Sequence, residues 1–208
     1  MTNNVKITRK QNSIFVESPY MTFFIDEAKK QNANWNKEEK AWVFEADREE
    51  HLKNILLEAY DYDMTNKMKK YDVLLDLDKF AKDEDGHQKR SVRINGLVVV
   101  QRCYRDSEVE FGNNFNVYLE KGGFAARGGS SKYPAAEWEE GTTLLVKGIS
   151  EYAFEKSLKD KEGVSIVSIK EAQNESEEDL IKKELEEIQA QIKELKAREK
   201  ELKAKLKK

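Results

Sequence analysis

Gly141-Thr142-Thr143-Leu144-Leu145-Val146-Lys147-Gly148 is followed after a polar loop by Val164-Ser165-Ile166-Val167-Ser168-Ile169. Both runs are rich in β-branched residues and each begins after or at a glycine, which predicts strands. Before them, residues 91–104 read as a long first strand bent at Gly96, and residues 115–120 as a second. Residues 123–127 read as a third strand after a Gly122-Gly123 turn. Residues 133–138 then give one helical turn. The fourth strand begins at residues 142–147 and continues past Gly148 to Phe154, and residues 164–169 are the fifth.

Five short strands with a helical turn between the third and fourth describe an OB-like antiparallel β-barrel over residues 91–172. The run from Gly141 to Gly148, with the hairpin that ends in Val164, Ile166, Val167 and Ile169, resembles the last half of the OB modules in replicative polymerases and single-strand binding proteins. The resemblance implies a protein that binds rather than catalyses. The open face and loops of such barrels hold single-stranded nucleic acid, oligosaccharide or a protein partner.

The bulk numbers predict two compact modules and an extended tail. Of 208 residues only 38% are hydrophobic while 37% are charged, a surplus that belongs on exposed surfaces and a long solvated helix. The expected division is 1–62, a small α+β domain marked by tryptophans; 63–90, a connector with one strand at 71–77; 91–172, the barrel; and 173–208, a coiled-coil helix. Net charge is −3, and no segment is strongly basic: residues 1–60 hold nine basic and ten acidic side chains. This balance disfavours tight, salt-driven binding of duplex nucleic acid. Cys103 is the lone cysteine, so no intrachain disulfide can form. The chain opens Met1-Thr2-Asn3-Asn4 without an apolar run suited to a signal peptide or a membrane span, so the expected location is cytoplasmic.

The N-terminal sixty residues predict a ββαβα module. Val5 and Ile7, then Ile14 and Val16, alternate as strands. Pro19 opens a helical pattern through Tyr20, Phe23, Phe24 and Ala28, which Asn34-Trp35-Asn36 breaks. Lys40–Phe44 is a strand with Trp42 and Phe44 on one face, and Asp47 is placed to cap a helix carrying Leu52, Ile55, Leu56 and Ala59. The pattern Phe24, Ala28-Lys29-Lys30, Asn32-Ala33, Trp35-Asn36, Lys40, Trp42-Val43-Phe44 resembles a short tryptophan-marked domain found beside primase, helicase and antirestriction modules on plasmids, phages and conjugative elements. It is also similar to the small HARP module of annealing helicases. It departs from the usual Gly-Ala before the first tryptophan by having Asn32. The resemblance implies a mobile-element setting. On packing grounds alone, Trp35 and Trp42 are core aromatics that staple strand to helix.

The last segment carries heptads. Ile181, Ile188, Leu195 and Leu202 take d positions and Leu185, Ile192 and Leu206 take a positions, with Glu199 the one acidic a residue. Self-association through this stripe is expected.

Chemistry is sought first in the basic stretch from His87 to Lys132, where eight basic residues face four acidic ones. The candidate nucleic-acid contacts are Arg102, Arg105 and Arg127 for phosphate and Tyr104, Tyr118 and Phe124 for stacked bases. The glycines at 122–123 and 128–129 are not a phosphate loop, because Gly129 stands where the lysine is required. Asp72, Asp76 and Asp78 and the turn Asp83-Glu84-Asp85-Gly86 form incomplete metal patterns, and His51, His87 and Cys103 lie apart in the sequence. No catalytic residue, metal or cofactor is therefore expected.

The leading expectation is a non-enzymatic phage or mobile-element accessory protein. Its barrel binds single-stranded nucleic acid and its coiled coil multiplies weak sites. One alternative is an anti-defence inhibitor, of the anti-CRISPR or antirestriction kind, that binds a host nucleic-acid-processing protein. Another is a structural assembly factor.

Overall fold

Short amphipathic segments punctuated by left-handed turn residues dictate many small elements. In the computed structural model, which describes residues 5–81 and 90–172, they form two antiparallel systems on two cores. The acidic turn 83–86, His87 and the coiled coil of residues 173–208 lie outside the described residues. The first system contains β1 (Lys6–Lys10), β2 (Ser13–Glu17), α1 (Thr22–Lys30), β3 (Asn34–Asn36), β4 (Ala41–Glu45) and, after a 3-10 turn, α2 (Glu49–Tyr60), with sheet order β1-β2-β4-β3. Ile14 pairs with Phe44 and Val16 with Trp42, so one face collects the apolar residues. Onto it α1 lays Phe24 and Ala28, and α2 lays Leu52, Ile55, Leu56, Ala59 and Tyr60. Each large side chain buried this way contributes about 1.5–3 kcal/mol.

The helix break expected at Asn34-Trp35-Asn36 is itself the edge strand β3, with Trp35 directly across from Trp42. The chain leaves α1 through Asn32, whose φ of 58° lies in the left-handed region. Asparagine tolerates that conformation better than other non-glycine residues.

The second system contains β5 (Lys70–Asp76), α3 (Leu77–Phe80), β6 (Ser91–Ile94), β7 (Leu97–Gln101), β8 (Glu110–Phe111), β9 (Asn116–Lys121), β10 (Thr143–Ser150), α4 (Glu151–Ser157) and β11 (Val164–Lys170). They make a four-stranded sheet, β11-β5-β10-β9, and a three-stranded sheet, β6-β7-β8, over one shared core. All pairings are antiparallel. Among the described residues the two sheets do not join into a closed barrel.

Four expectations are corrected here. The long strand of residues 91–104 is a hairpin, because Asn95 and Gly96, with φ of 47° and 79°, supply the two left-handed residues of a tight turn. Residues 123–127 form only the isolated bridge Phe124–Trp138. Residues 133–138 are extended rather than helical. Pro134 bridges to Gly129, and the Ala125 amide donates to the Glu137 carbonyl. The fourth strand stops at Ser150, whose hydroxyl accepts from the Ala153 amide at 3.1 Å and caps α4.

The strand expected in the connector, β5, lies between β10 and β11, with Val73 and Leu75 fully buried. Residues up to Ala172 form one compact unit. Met21 packs against both cores, and the Asn114 side-chain amide donates to the Tyr60 carbonyl at 3.4 Å.

Candidate functional site

Arg102 is fully buried, which corrects its assignment to phosphate. Its Nε donates to the Ala135 carbonyl at 2.8 Å, Nη2 to Ala125 at 2.5 Å, and Nη1 to Ser107 and to Ala126. A buried guanidinium is tolerable only when its donors are satisfied, and these carbonyls satisfy it while tying three loop segments together. Gly128 makes the approach possible, since a Cβ there would lie 2.1 Å from the Ala135 carbonyl oxygen and 3.0 Å from Arg102 Nε.

The loops so tied carry part of the expected basic site. Tyr104 projects into solvent, while Arg105 and Arg127 both turn onto Asp106 Oδ1, at 3.2 and 3.3 Å. One carboxylate thus draws on both cations. Tyr118 stands elsewhere, on β9, with Lys147 Nζ 5.1 Å from its ring centre. Phe124 is half-buried and meets Phe111 edge-on at 6.1 Å. The expected row of arginines and stacking aromatics therefore does not assemble on one surface.

The exposed aromatics assemble differently. Trp35 and Trp42, with ring centres 5.8 Å apart, line with Pro19, Tyr20 and Ile25 a hollow of about 220 Å³, and Trp42 also packs against the first core as expected. Trp35 is 49% exposed and Tyr20 84% exposed, unlike stapling core residues. Pro19 and Tyr20 also line a cleft of about 510 Å³ between the two systems, with Arg93, Gln101, Phe111 and Asn113 on its other wall. Phe111 in turn borders a depression walled by Phe124, Leu119, Asp106 and Glu108. Tyr20 lines both the first and second hollows and Phe111 both the second and third, a series we call the aromatic track.

Several polar groups on the track are already fixed. Arg93 donates to Ser91 Oγ at 3.0 Å and to the Gly96 carbonyl at 2.7 Å. Tyr60 donates its hydroxyl to the Pro19 carbonyl at 2.6 Å, holding the segment that presents Tyr20. The central cleft holds Arg93 and Glu110, and the depression beyond Phe111 holds Glu108 and an Asp106 already paired by Arg105 and Arg127.

The side chains that suggested catalysis or metal binding have structural roles. Asp72 accepts from the Gly148 amide at 2.9 Å, from Ser168 and from Lys170. Asp76 caps α3 through the Asp78 amide, and Asp78 accepts from Trp138 Nε1 at 3.2 Å and the Gly141 amide at 2.6 Å. Among the described residues no three His, Cys, Asp or Glu gather as metal ligands. The Cys103 thiol faces Glu110 at 3.4 Å; that hydrogen bond and burial push its pKa up, the reverse of what a nucleophilic thiolate needs.

Sequence reasoning missed Tyr20, Arg93 and Phe111 because each stands at a turn or a very short strand. Pro19 before Tyr20 was a legible signal of a fixed backbone there. Among the described residues no helix is long and apolar enough to cross a membrane. Comparisons with protein-family models, with curated proteins and with solved structures find no match.

Proposed function

We propose that this chain is a non-enzymatic binding protein whose aromatic track takes an extended, apolar segment of a protein partner ending in a basic residue. The observation that carries this reading is that Tyr20 lines both the Trp35–Trp42 hollow and the central cleft, with Glu110 in that cleft and Glu108 in the depression beyond Phe111. Aromatic-lined grooves suit stiff, extended peptides, which lose little entropy on docking. A polyanion would meet Glu108 and Glu110 along the track, while Arg105 and Arg127 are drawn onto Asp106. The proposal is the inhibitor-like alternative in its general form. A host nucleic-acid-processing protein as partner, and a mobile-element setting, are supported only by the tryptophan pattern. Asn32 takes a backbone conformation suited to glycine as well, so the departure there costs the resemblance little.

The second reading, single-stranded nucleic acid on an OB-like module, draws on one specific observation. Exposed Tyr104, Tyr118 and Tyr133 have Arg105, Lys147 and Lys132 beside them. Two antiparallel sheets on one core suit an open variant of that fold. In either reading the heptads of residues 181–206 supply avidity.

The test is fluorescence anisotropy of the full chain against two probes at low ionic strength. One is a set of apolar peptides ending in arginine, the other an oligothymidylate. Peptide binding that Trp35→Ala abolishes supports the proposal; oligonucleotide binding alone, insensitive to Trp35, transfers the function to the second reading.

A further inference from the structure

Among the described residues the sheet orders leave six strands at edges: β1, β3, β6, β8, β9 and β11. Edge strands expose unpaired backbone donors and acceptors, and proteins ordinarily blunt them with brevity, charge or proline. Five of the six are blunted. β3, β6 and β8 have three, four and two residues; β1 carries Lys6, Arg9 and Lys10; β9 ends in Glu120-Lys121. β11 differs. It has seven residues, and from Val164 to Ile169 it has no charge and no proline. Ile166, Val167 and Ile169 are 50%, 58% and 48% exposed.

We propose that β11 pairs antiparallel with β11 of a second copy of this chain about a two-fold axis, joining two four-stranded sheets into one of eight. A second copy fits this edge for reasons of charge and symmetry. Antiparallel pairing of six uncharged residues with themselves sets no like charges opposite one another. The flanking Lys170 is occupied by Asp72 at 3.2 Å. A two-fold axis uses the same patch on both copies and closes, leaving neither β11 edge open. The register against β5 slips between Ile166 and Ser168, where Val167 bulges, so the strand bends at its middle.

One strand pair falls short of the roughly 1,000 Å² of a stable interface. The proposal therefore also rests on self-association through the heptads. In the sequence these begin at Ile181, nine residues after Ala172. Two chains joined there keep their β11 edges within roughly 60 Å of each other, which raises their effective concentration.

The test is a cysteine scan of the full chain in a Cys103→Ser background. Single cysteines replace residues 164–170 in turn; Lys161→Cys is the off-strand control and Leu195→Cys reports the heptads separately. Circular dichroism confirms that each variant folds. Two-fold pairing brings a residue against its own copy only near the axis, so disulfide-linked dimer is expected to peak sharply at one or two adjacent strand positions, several-fold above Lys161→Cys. A lysine at the peak position should then abolish crosslinking of its neighbours. A flat profile at the level of Lys161→Cys overturns the pairing. If Leu195→Cys crosslinks while the strand profile is flat, association through the heptads stands and the edge pairing falls. A strand peak without a Leu195→Cys crosslink supports the pairing and removes its dependence on the heptads.

Discussion

Asp61, at the end of α2, accepts two hydrogen bonds from Ser150, the residue that ends β10 and caps α4. The amide bond is 2.8 Å long, and the hydroxyl completes the pair. Asp61 is buried, and its φ of 52° gives α2 a left-handed terminus. One carboxylate thus fastens the end of α2 to the junction of β10 and α4.

Burial pushes the Asp61 pKa up to about 6 from an ordinary 3.8, although the Ser150 bonds oppose the shift. Between about pH 4 and pH 6 the folded chain therefore holds a proton that the unfolded chain has released, so this group's contribution falls as pH rises through that window. The loss at pH 7 is on the order of 3 kcal/mol. Asp61→Asn keeps an acceptor for the Ser150 amide and removes the charge. Urea unfolding should show the variant stabilised at pH 7 and close to the parent at pH 4; equal differences at both values would exclude the mechanism.

Asp63 and Asp72 act with the opposite sign. Burial raises both, but bonds from Thr65 and Met68 to Asp63, and from Gly148, Ser168 and Lys170 to Asp72, outweigh it and hold both below the ordinary range. Their contribution is complete above about pH 4 and is lost as pH falls below it. Asp63→Asn should lower the melting temperature at pH 7 and make little difference near pH 2, as calorimetry would show.

Replacing Arg102 with Met should be among the most destabilising single changes. It keeps the apolar stem but leaves the carbonyls of Ser107, Ala125, Ala126 and Ala135 without their donor. Each buried carbonyl left without its donor costs about 1–3 kcal/mol. Arg105→Met, on an exposed pair, should cost under about 1 kcal/mol. Comparable losses at the two positions in chemical denaturation would contradict the structural role of Arg102.

Gly128→Ala tests the same knot from the other side, because its Cβ would enter the Ala135 carbonyl. A loss of about 1–3 kcal/mol is expected for an overpacked site of this kind. Gly148→Ala is the informative comparison: its added Cβ meets nothing within 4 Å, so only the positive φ penalises it.

Much of the architecture was legible where pattern and burial agree. The alternation through Ile14, Val16, Trp42 and Phe44 identified the first sheet, and Gly163 precedes β11 where composition put that boundary. Three features were hidden. The Tyr71–Leu75 run is apolar almost without interruption because β5 is central and covered, yet its distance along the chain from β10 and β11 concealed its partners. Asn95-Gly96 looks like a bend as readily as a hairpin until both residues are seen with positive φ. Arg102 follows the Val98–Val100 run, and no composition rule separates an arginine that solvates a phosphate from one that gathers carbonyls. Gly128 and the small residues Ala125, Ala126 and Ala135, which let those carbonyls approach, were the available signal.

We propose the Trp35–Tyr20–Phe111 track, rather than the arginine loops, as the binding surface. The most direct measurement is two-dimensional NMR of the full chain titrated with an apolar, arginine-terminated peptide and, separately, with oligothymidylate. The account predicts peptide-induced shifts concentrated on the Trp35 and Trp42 indoles and at Tyr20, Gln101 and Phe111, with Trp35→Ala weakening affinity by at least tenfold, the loss expected of a central aromatic anchor. Shifts confined to Tyr104, Arg105 and Arg127 and produced by the oligonucleotide alone would contradict it.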